Sequence, residues 1–437
     1  MTLQRQTDGG LHSQWRLVAA GVALIGTCYG FARFAYGLFS PQFQREFTLT
    51  SSWSGVIGAG SYVGYCVAIV ASSLLTQRWG PRRVAVLAGA VASTGMAVVA
   101  VAPSGPVLAV GLLIAGSSTG IASPPLAAAV ARWVLRPRQD RAQTLVNAGT
   151  GLGVLASGPV AFALTDHWRW AWAVFALTAA AVTWWIHAAI PCSARTDRAG
   201  AESARPVGRP VGAMSLMLGS LVMGLSSIAV WTFGRELIMA DGNASALLGS
   251  VMWALIGAAG IAGAMSGPLI HRIGIRASWA ALMVALGAAT TGIAIAPAAT
   301  WIVTTSAAVF GATYISLTGV ALVWATRLYV ERPATGVGAS FFMIAAGQAV
   351  GAPLAGFGAD HVGLPAVFYA CAGIALAGAA IPLTWHSPHG RRPGDGSTTD
   401  TTETLQEGTS ARLSVRHGVT AHAAERSLRD RLAVPPE

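Results

Sequence analysis

Runs of about twenty apolar residues, separated by short polar and arginine-bearing stretches, organise this chain. They recur twelve times, near 17–39, 53–75, 83–102, 106–129, 143–165, 169–190, 213–235, 246–270, 277–296, 300–324, 336–358 and 364–386. As a helix, such a run crosses roughly 30 Å of hydrocarbon. The pattern therefore predicts an all-α membrane protein with twelve transmembrane helices. Glycine and proline are frequent inside the runs, which membrane helices tolerate better than soluble ones do. Pairs such as Gly60/Gly64, Gly116/Gly120, Gly263/Gly267 and Gly347/Gly351 have the small-xxx-small spacing of close helix contact.

Composition agrees with the pattern. The 437 residues are 54% hydrophobic and 10% charged, against about 25% charged in an ordinary soluble domain. The net charge of +11 does not indicate nucleic acid. All 28 basic residues are arginine, and they lie in clusters between apolar runs, not on one basic face. With the N-terminus inside, 24 of the 28 share the side of the two termini, and Arg45 and Arg169 fall in the opposite loops. This bias predicts cytoplasmic termini. The run at 17–39 is too long for the apolar core of a cleavable signal, and no small-residue cleavage site follows. Cys28, Cys66, Cys192 and Cys371 form no CxxC pair or metal-ligand spacing, so neither metal nor cofactor is expected.

The chain also repeats itself. "SLLTQRWGPR" begins at Ser73 and "GPLIHRIGIR" at Gly267, so Arg78, Gly80 and Arg82 fall on Arg272, Gly274 and Arg276 at an offset of 194. The same shift carries Gly55 to Gly249, Pro159 to Pro353, Asp166 to Asp360 and His167 to His361. One shared offset implies two homologous six-helix halves, an architecture found in secondary transporters. The division expected is a cytoplasmic N-terminus (1–16), a first half (17–190), a cytoplasmic central loop (191–212), a second half (213–386) and a disordered cytoplasmic tail (387–437).

The paired loops resemble the G-x-x-x-D-R-x-G-x-R signature of the major facilitator superfamily. Ser73 and Gln77 replace its first glycine and aspartate in one copy; the other keeps Gly267 but has His271 for the aspartate. The resemblance extends over all twelve runs and implies alternating access through rocking halves. In that family the loop latches one conformation through its acidic residue, which neither copy retains. "GTGLGVLASGP" in the fifth run, with Gly149 and Gly158–Pro159, resembles the family's antiporter motif without its closing Gly-Gly. A proline-kinked, glycine-lined packing helix is the plainer reading and the one preferred here. "GFARFAYGL" resembles the start of the YbfB/YjiJ-type branch, which implies no particular substrate.

Ionisable residues inside apolar runs are rare and functional by default. Arg33 lies well inside the first run, and α-helical spacing puts Tyr29 and Tyr36 on its face. We expect Arg33 to bind an anionic or polar group of a solute, against the alternatives of an outward-snorkelling side chain or a structural ion pair. Asn147, Trp253, Tyr314 and Gln348 are further polar or aromatic candidates, each equally able to make an interhelical contact. Arg235 and Glu236 are expected near the outer surface, as a local ion pair or as a gate in which Glu236 carries a proton. The function these observations predict is a secondary active transporter, monomeric and with no nucleic-acid partner. It would move a small organic anionic or polar solute across a bacterial inner membrane, with protons as a candidate coupling ion. A proton-antiport exporter of drugs or hydrophobic metabolites is the alternative. A membrane enzyme lacks any nucleophile or metal cluster, and a non-transporting receptor lacks an output domain.

Overall fold

The computed structural model describes residues 2–191, 210–240, 245–262, 266–329 and 333–381. The expected tail and most of the expected central loop lie outside the described residues. Among the described residues, ten helices are long and apolar enough to cross a membrane, and two shorter apolar helices, Ala246–Gly260 and Leu364–Gly378, complete twelve. Each corresponds to one apolar run of the sequence.

The first span is one long rod. It comprises α1 (Thr2–Ile25), a π-helical segment (Gly26–Phe34) and α2 (Ala35–Phe47). Its membrane-spanning stretch is Gln14–Phe47, which absorbs Arg45, placed in a loop by the run pattern. There follow α3 (Ser51–Trp79), α4 (Pro81–Ala100), α5 (Gly105–Trp133), α6 (Arg136–Ala163) and α7 (Trp168–Ala189). The seventh span likewise joins α8 (Ala213–Ile228), a π-helical segment (Ala229–Phe233) and α9 (Gly234–Ala240). The remaining elements are α10 (Ala246–Gly260), α11 (Ser266–Ile295), α12 (Thr300–Leu328), α13 (Pro333–Val362) and α14 (Leu364–Gly378).

The sequence repeat is also a backbone repeat. Gly80, between α3 and α4, has φ 81° and ψ 160°; Gly274, which kinks α11, has φ 80° and ψ 166°. Side-chain-bearing residues rarely adopt a positive φ, so this turn explains why glycine stands at both equivalent positions. Between the halves α3 packs on α13, and α6 packs on α10. The repeat offset exchanges these two contacts, as a two-fold relation between homologous halves requires.

Small residues set the packing. A β-carbon on Gly30 would fall 2.3 Å from the carbonyl carbon of Gly153. The first span therefore lies backbone to backbone on α6. Gly149 approaches the Val22 carbonyl as closely, and Gly158 faces Ser250 of α10. Pro159 lies inside α6, exposed at its surface. The glycines of "GTGLGVLASGP" are thus helix-contact positions.

The two halves also meet at the face remote from the N-terminus, here called the distal face. Ser40 Oγ donates to the Thr232 carbonyl, and the Ser51 and Ser52 amides donate to Asp360 at 3.0 and 2.9 Å. Asp360 therefore caps the start of α3 from the opposite half, where an unsatisfied helix N-terminus favours negative charge. Its repeat equivalent, Asp166, is exposed beyond α6.

Candidate functional site

Arg33 lies in the last turn of the first π-helical segment and is 5% exposed, close to the middle of the Gln14–Phe47 span. A π-helix bonds i to i+5 and carries more residues per turn than an α-helix, and such insertions recur at functional sites. Tyr29 remains beside Arg33, its ring centroid 5.7 Å from the guanidinium carbon. Tyr36 does not: its hydroxyl donates to the Ser54 carbonyl and its ring stacks on Phe43. The expectation that all three share one face fails for Tyr36, which is held by Ser54 and Phe43.

Three further rings complete the surroundings of the guanidinium. Phe34 lies 5.3 Å away, Tyr62 4.8 Å and Tyr65 4.7 Å. Tyr62 and Tyr65 come from α3 and face the same way because they are three residues apart. Each cation–π contact contributes about 0.5–2 kcal/mol, against the roughly 2.5–3.5 kcal/mol that an arginine costs at the centre of a membrane helix. The cage thus offsets much of that penalty without neutralising the charge. Among the described residues no carboxylate reaches Arg33, and its Nε has no hydrogen-bond partner. Snorkelling and a structural ion pair are therefore both excluded for Arg33 among the described residues.

Its Nη2 donates instead to Gln348 Oε1, on α13 of the other half. The Gln348 amide nitrogen donates in turn to the Tyr314 hydroxyl at 3.1 Å and Ser227 Oγ at 3.4 Å. A cavity of about 70 Å³ lies beside this network. Its walls include Tyr29, Arg33 and Phe34 of the first span, Tyr65 of α3, and Asn147 and Thr150 of α6. From the second half come Tyr314, Ile315 and Thr318 of α12 and Phe341 and Ile344 of α13. The wall is mostly apolar and aromatic, with a few converging polar groups and one fixed positive charge, as small-molecule sites commonly are.

Of the sequence candidates, Tyr29, Arg33, Asn147 and Tyr314 share the cavity, and Gln348 is bonded directly to Arg33. Trp253 packs edge-on against Trp231, 5.7 Å between ring centroids, and against Gly37, away from the cavity wall. Arg78, Arg272 and Arg276 are exposed at the paired turns and Arg82 is half-buried there. Gly267 lies in α11 just before its kink. Tyr62, Tyr65, Thr150, Thr318 and Phe341 escaped the sequence reading. The i, i+3 tyrosines of "SYVGY" were the one signal available for the first two.

Arg235 and Glu236 occupy a second polar cluster, at the distal face. Arg235 is fully buried and donates to the Leu38 carbonyl and the Gln42 amide oxygen. Glu236, 8% exposed, accepts from Gln44 Nε2 at 2.7 Å and Ser51 Oγ at 2.8 Å. At that face Arg235 is buried and bonded to the first half. Adjacent helical residues do not face each other, so both side chains reach across to the first half. Every one of these hydrogen bonds joins the two halves.

A Major Facilitator Superfamily model matches residues 22–347. Monocarboxylate transporter 11 of Mus musculus is 31% identical over 173 residues, 39% of this chain and 38% of that protein. The Homo sapiens protein of the same name is 31% identical over 173 residues, 39% of this chain and 36% of that protein. The alignment thus spans little more than a third of these curated relatives. Among solved structures, the nucleoside transporter NupG superposes with a TM-score of 0.67 at 11% identity, covering 84% of this chain and 99% of that one. The human organic anion transporter MFSD10 (TETRAN) gives 0.62 at 17%, covering 84% and 99%. A bacterial homolog of the human lysosomal transporter Spinster, in an inward-facing and occupied conformation, gives 0.63 at 12%, covering 83% and 93%.

Proposed function

The chain belongs to the Major Facilitator Superfamily, and on that premise we propose that this multi-pass membrane transporter carries a small organic anion held by Arg33. The observation that carries the reading is the state of Arg33: buried, ringed by aromatics, lining a cavity and facing no carboxylate among the described residues. A guanidinium offers donors in a fork that matches a carboxylate. The aromatic walls suit an anion with a flat or apolar body. The names of two relatives, a monocarboxylate transporter and an organic anion transporter, agree with this chemistry.

Transport proceeds by rocking of residues 17–190 against 213–386, as a monomer in a bacterial inner membrane with both termini cytoplasmic. The distal face is then periplasmic, and its joined ends correspond to an inward-facing state. Arg235 and Glu236 act as the outer gate, and Glu236, bonded across the halves, is the group through which protons would couple to opening. Protonating it removes the charge that holds Gln44 and Ser51.

A thermal-shift comparison of isosteric pairs tests the substrate class. Benzoate is expected to stabilise the purified protein and benzamide is not, because only the former places a carboxylate on Arg33. Equal stabilisation by both contradicts the anion reading.

A further inference from the structure

A buried guanidinium needs an acceptor throughout a transport cycle, including the steps at which no anion is bound. Gln348 supplies one, and its placement is specific. It lies 315 residues from Arg33, in the opposite half, and is completely buried. The orientation of its amide follows from its partners: Oε1 faces the Arg33 donors, and Nε2 faces the Tyr314 and Ser227 hydroxyls. Reversed, the NH₂ would point at a cation. Ser227 is the residue the repeat offset assigns to the position of Arg33. One amide therefore bridges two equivalent positions of the two halves.

Resting on the anion reading of Arg33, we propose that Gln348 is the resting occupant of the Arg33 donors, displaced by the incoming anion. The amide oxygen is a planar acceptor of the same kind as a carboxylate oxygen, but it carries no net charge. It satisfies a donor of Arg33 while leaving the positive charge uncompensated, so a real anion wins the exchange. The exchange also breaks a bond between halves, so occupancy of the cavity loosens α13 from the first span. A glutamate in its place would neutralise Arg33 and occupy the site permanently. Gln348 is thus a positioning residue that sets affinity by competition, not a wall of the pocket.

The experiment is counterflow of radiolabelled benzoate in proteoliposomes, at equal pH on both sides, for wild-type, Q348A, Q348E and R33Q. Q348A removes the competitor and is expected to lower the benzoate KM roughly tenfold, the scale of a hydrogen bond to a charged group. Q348E strengthens the competitor and is expected to raise the KM by at least about tenfold. Opposite shifts are the signature, because loss of a merely structural amide would impair both variants. Equal or same-direction KM changes overturn the proposal. If Q348E does not fold, an unchanged or raised KM in Q348A overturns it alone. Wild-type exchange that R33Q leaves intact contradicts the anion reading itself, as does absence of wild-type exchange. Exchange that depends on Arg33 but is indifferent to Gln348 contradicts this inference alone.

Discussion

Replacing Glu236 with alanine should open the distal face. Its carboxylate accepts hydrogen bonds from Gln44 at 2.7 Å and Ser51 at 2.8 Å, both across the halves. Hydrogen bonds to charged groups contribute about 1.5–3 kcal/mol each, so the two hold the closed arrangement by at most about 3–6 kcal/mol. Water admitted on opening restores part of this, and roughly 2 kcal/mol is a reasonable net loss. That corresponds to about a thirtyfold shift of the equilibrium between the closed and open distal face. The reporter is a cysteine at Ser40, which is fully buried against the Thr232 carbonyl, in a background lacking the native cysteines. Its rate of labelling by a membrane-impermeant maleimide added from the distal side should rise about thirtyfold in Glu236→Ala. Glu236→Gln, which keeps an acceptor but loses the charge, should give a smaller rise. A labelling rate within about twofold of the parent in both variants refutes the gate, since it would mean these bonds do not limit opening.

Two further expectations concern the scaffold. Gly80→Ala and Gly274→Ala should each destabilise by a similar, modest amount of about 1–2 kcal/mol, because both have positive φ and nothing within 4 Å of an added β-carbon. Thermal denaturation of the two single variants checks this, and a large inequality contradicts the equivalence of the turns. Gly30→Val should abolish folded protein, because its β-carbon would overlap the Gly153 backbone, which has no side chain to yield. A monodisperse size-exclusion peak at parental yield would show that the first span and α6 can part.

The fold was legible because lipid imposes a simple rule: each span must be apolar along its length. The repeat followed from turn glycines whose positive φ no other residue supplies cheaply, as Gly80 and Gly274 illustrate. Arg33 stood out for the converse reason, as a charge where the rule forbids one. The rest of the site depends on contacts between distant segments. Tyr62 and Tyr65 reach Arg33 only once α3 is placed against the first span. Gln348 was identifiable as a polar residue in an apolar run, but not as the partner of Arg33. Tyr36 faces away from the site because Ser54 and Phe43, on other turns, hold its hydroxyl and ring, which spacing along one helix does not reveal. Arg235 was read through its neighbour Glu236, whereas it bonds to the Leu38 carbonyl, and a backbone acceptor leaves no trace in side-chain identity.

In the proposed transporter the charge of Arg33 reads the anion. Benzoate binding to wild-type, Arg33→Lys and Arg33→Gln in detergent, by equilibrium dialysis, tests it most directly. Loss of a charge-assisted bond of about 1.5–3 kcal/mol predicts a Kd raised roughly ten- to a hundredfold in Arg33→Gln. Arg33→Lys, which keeps the charge without the fork, should fall between. A Kd in Arg33→Gln equal to that of wild-type, in protein that remains folded, would contradict the account.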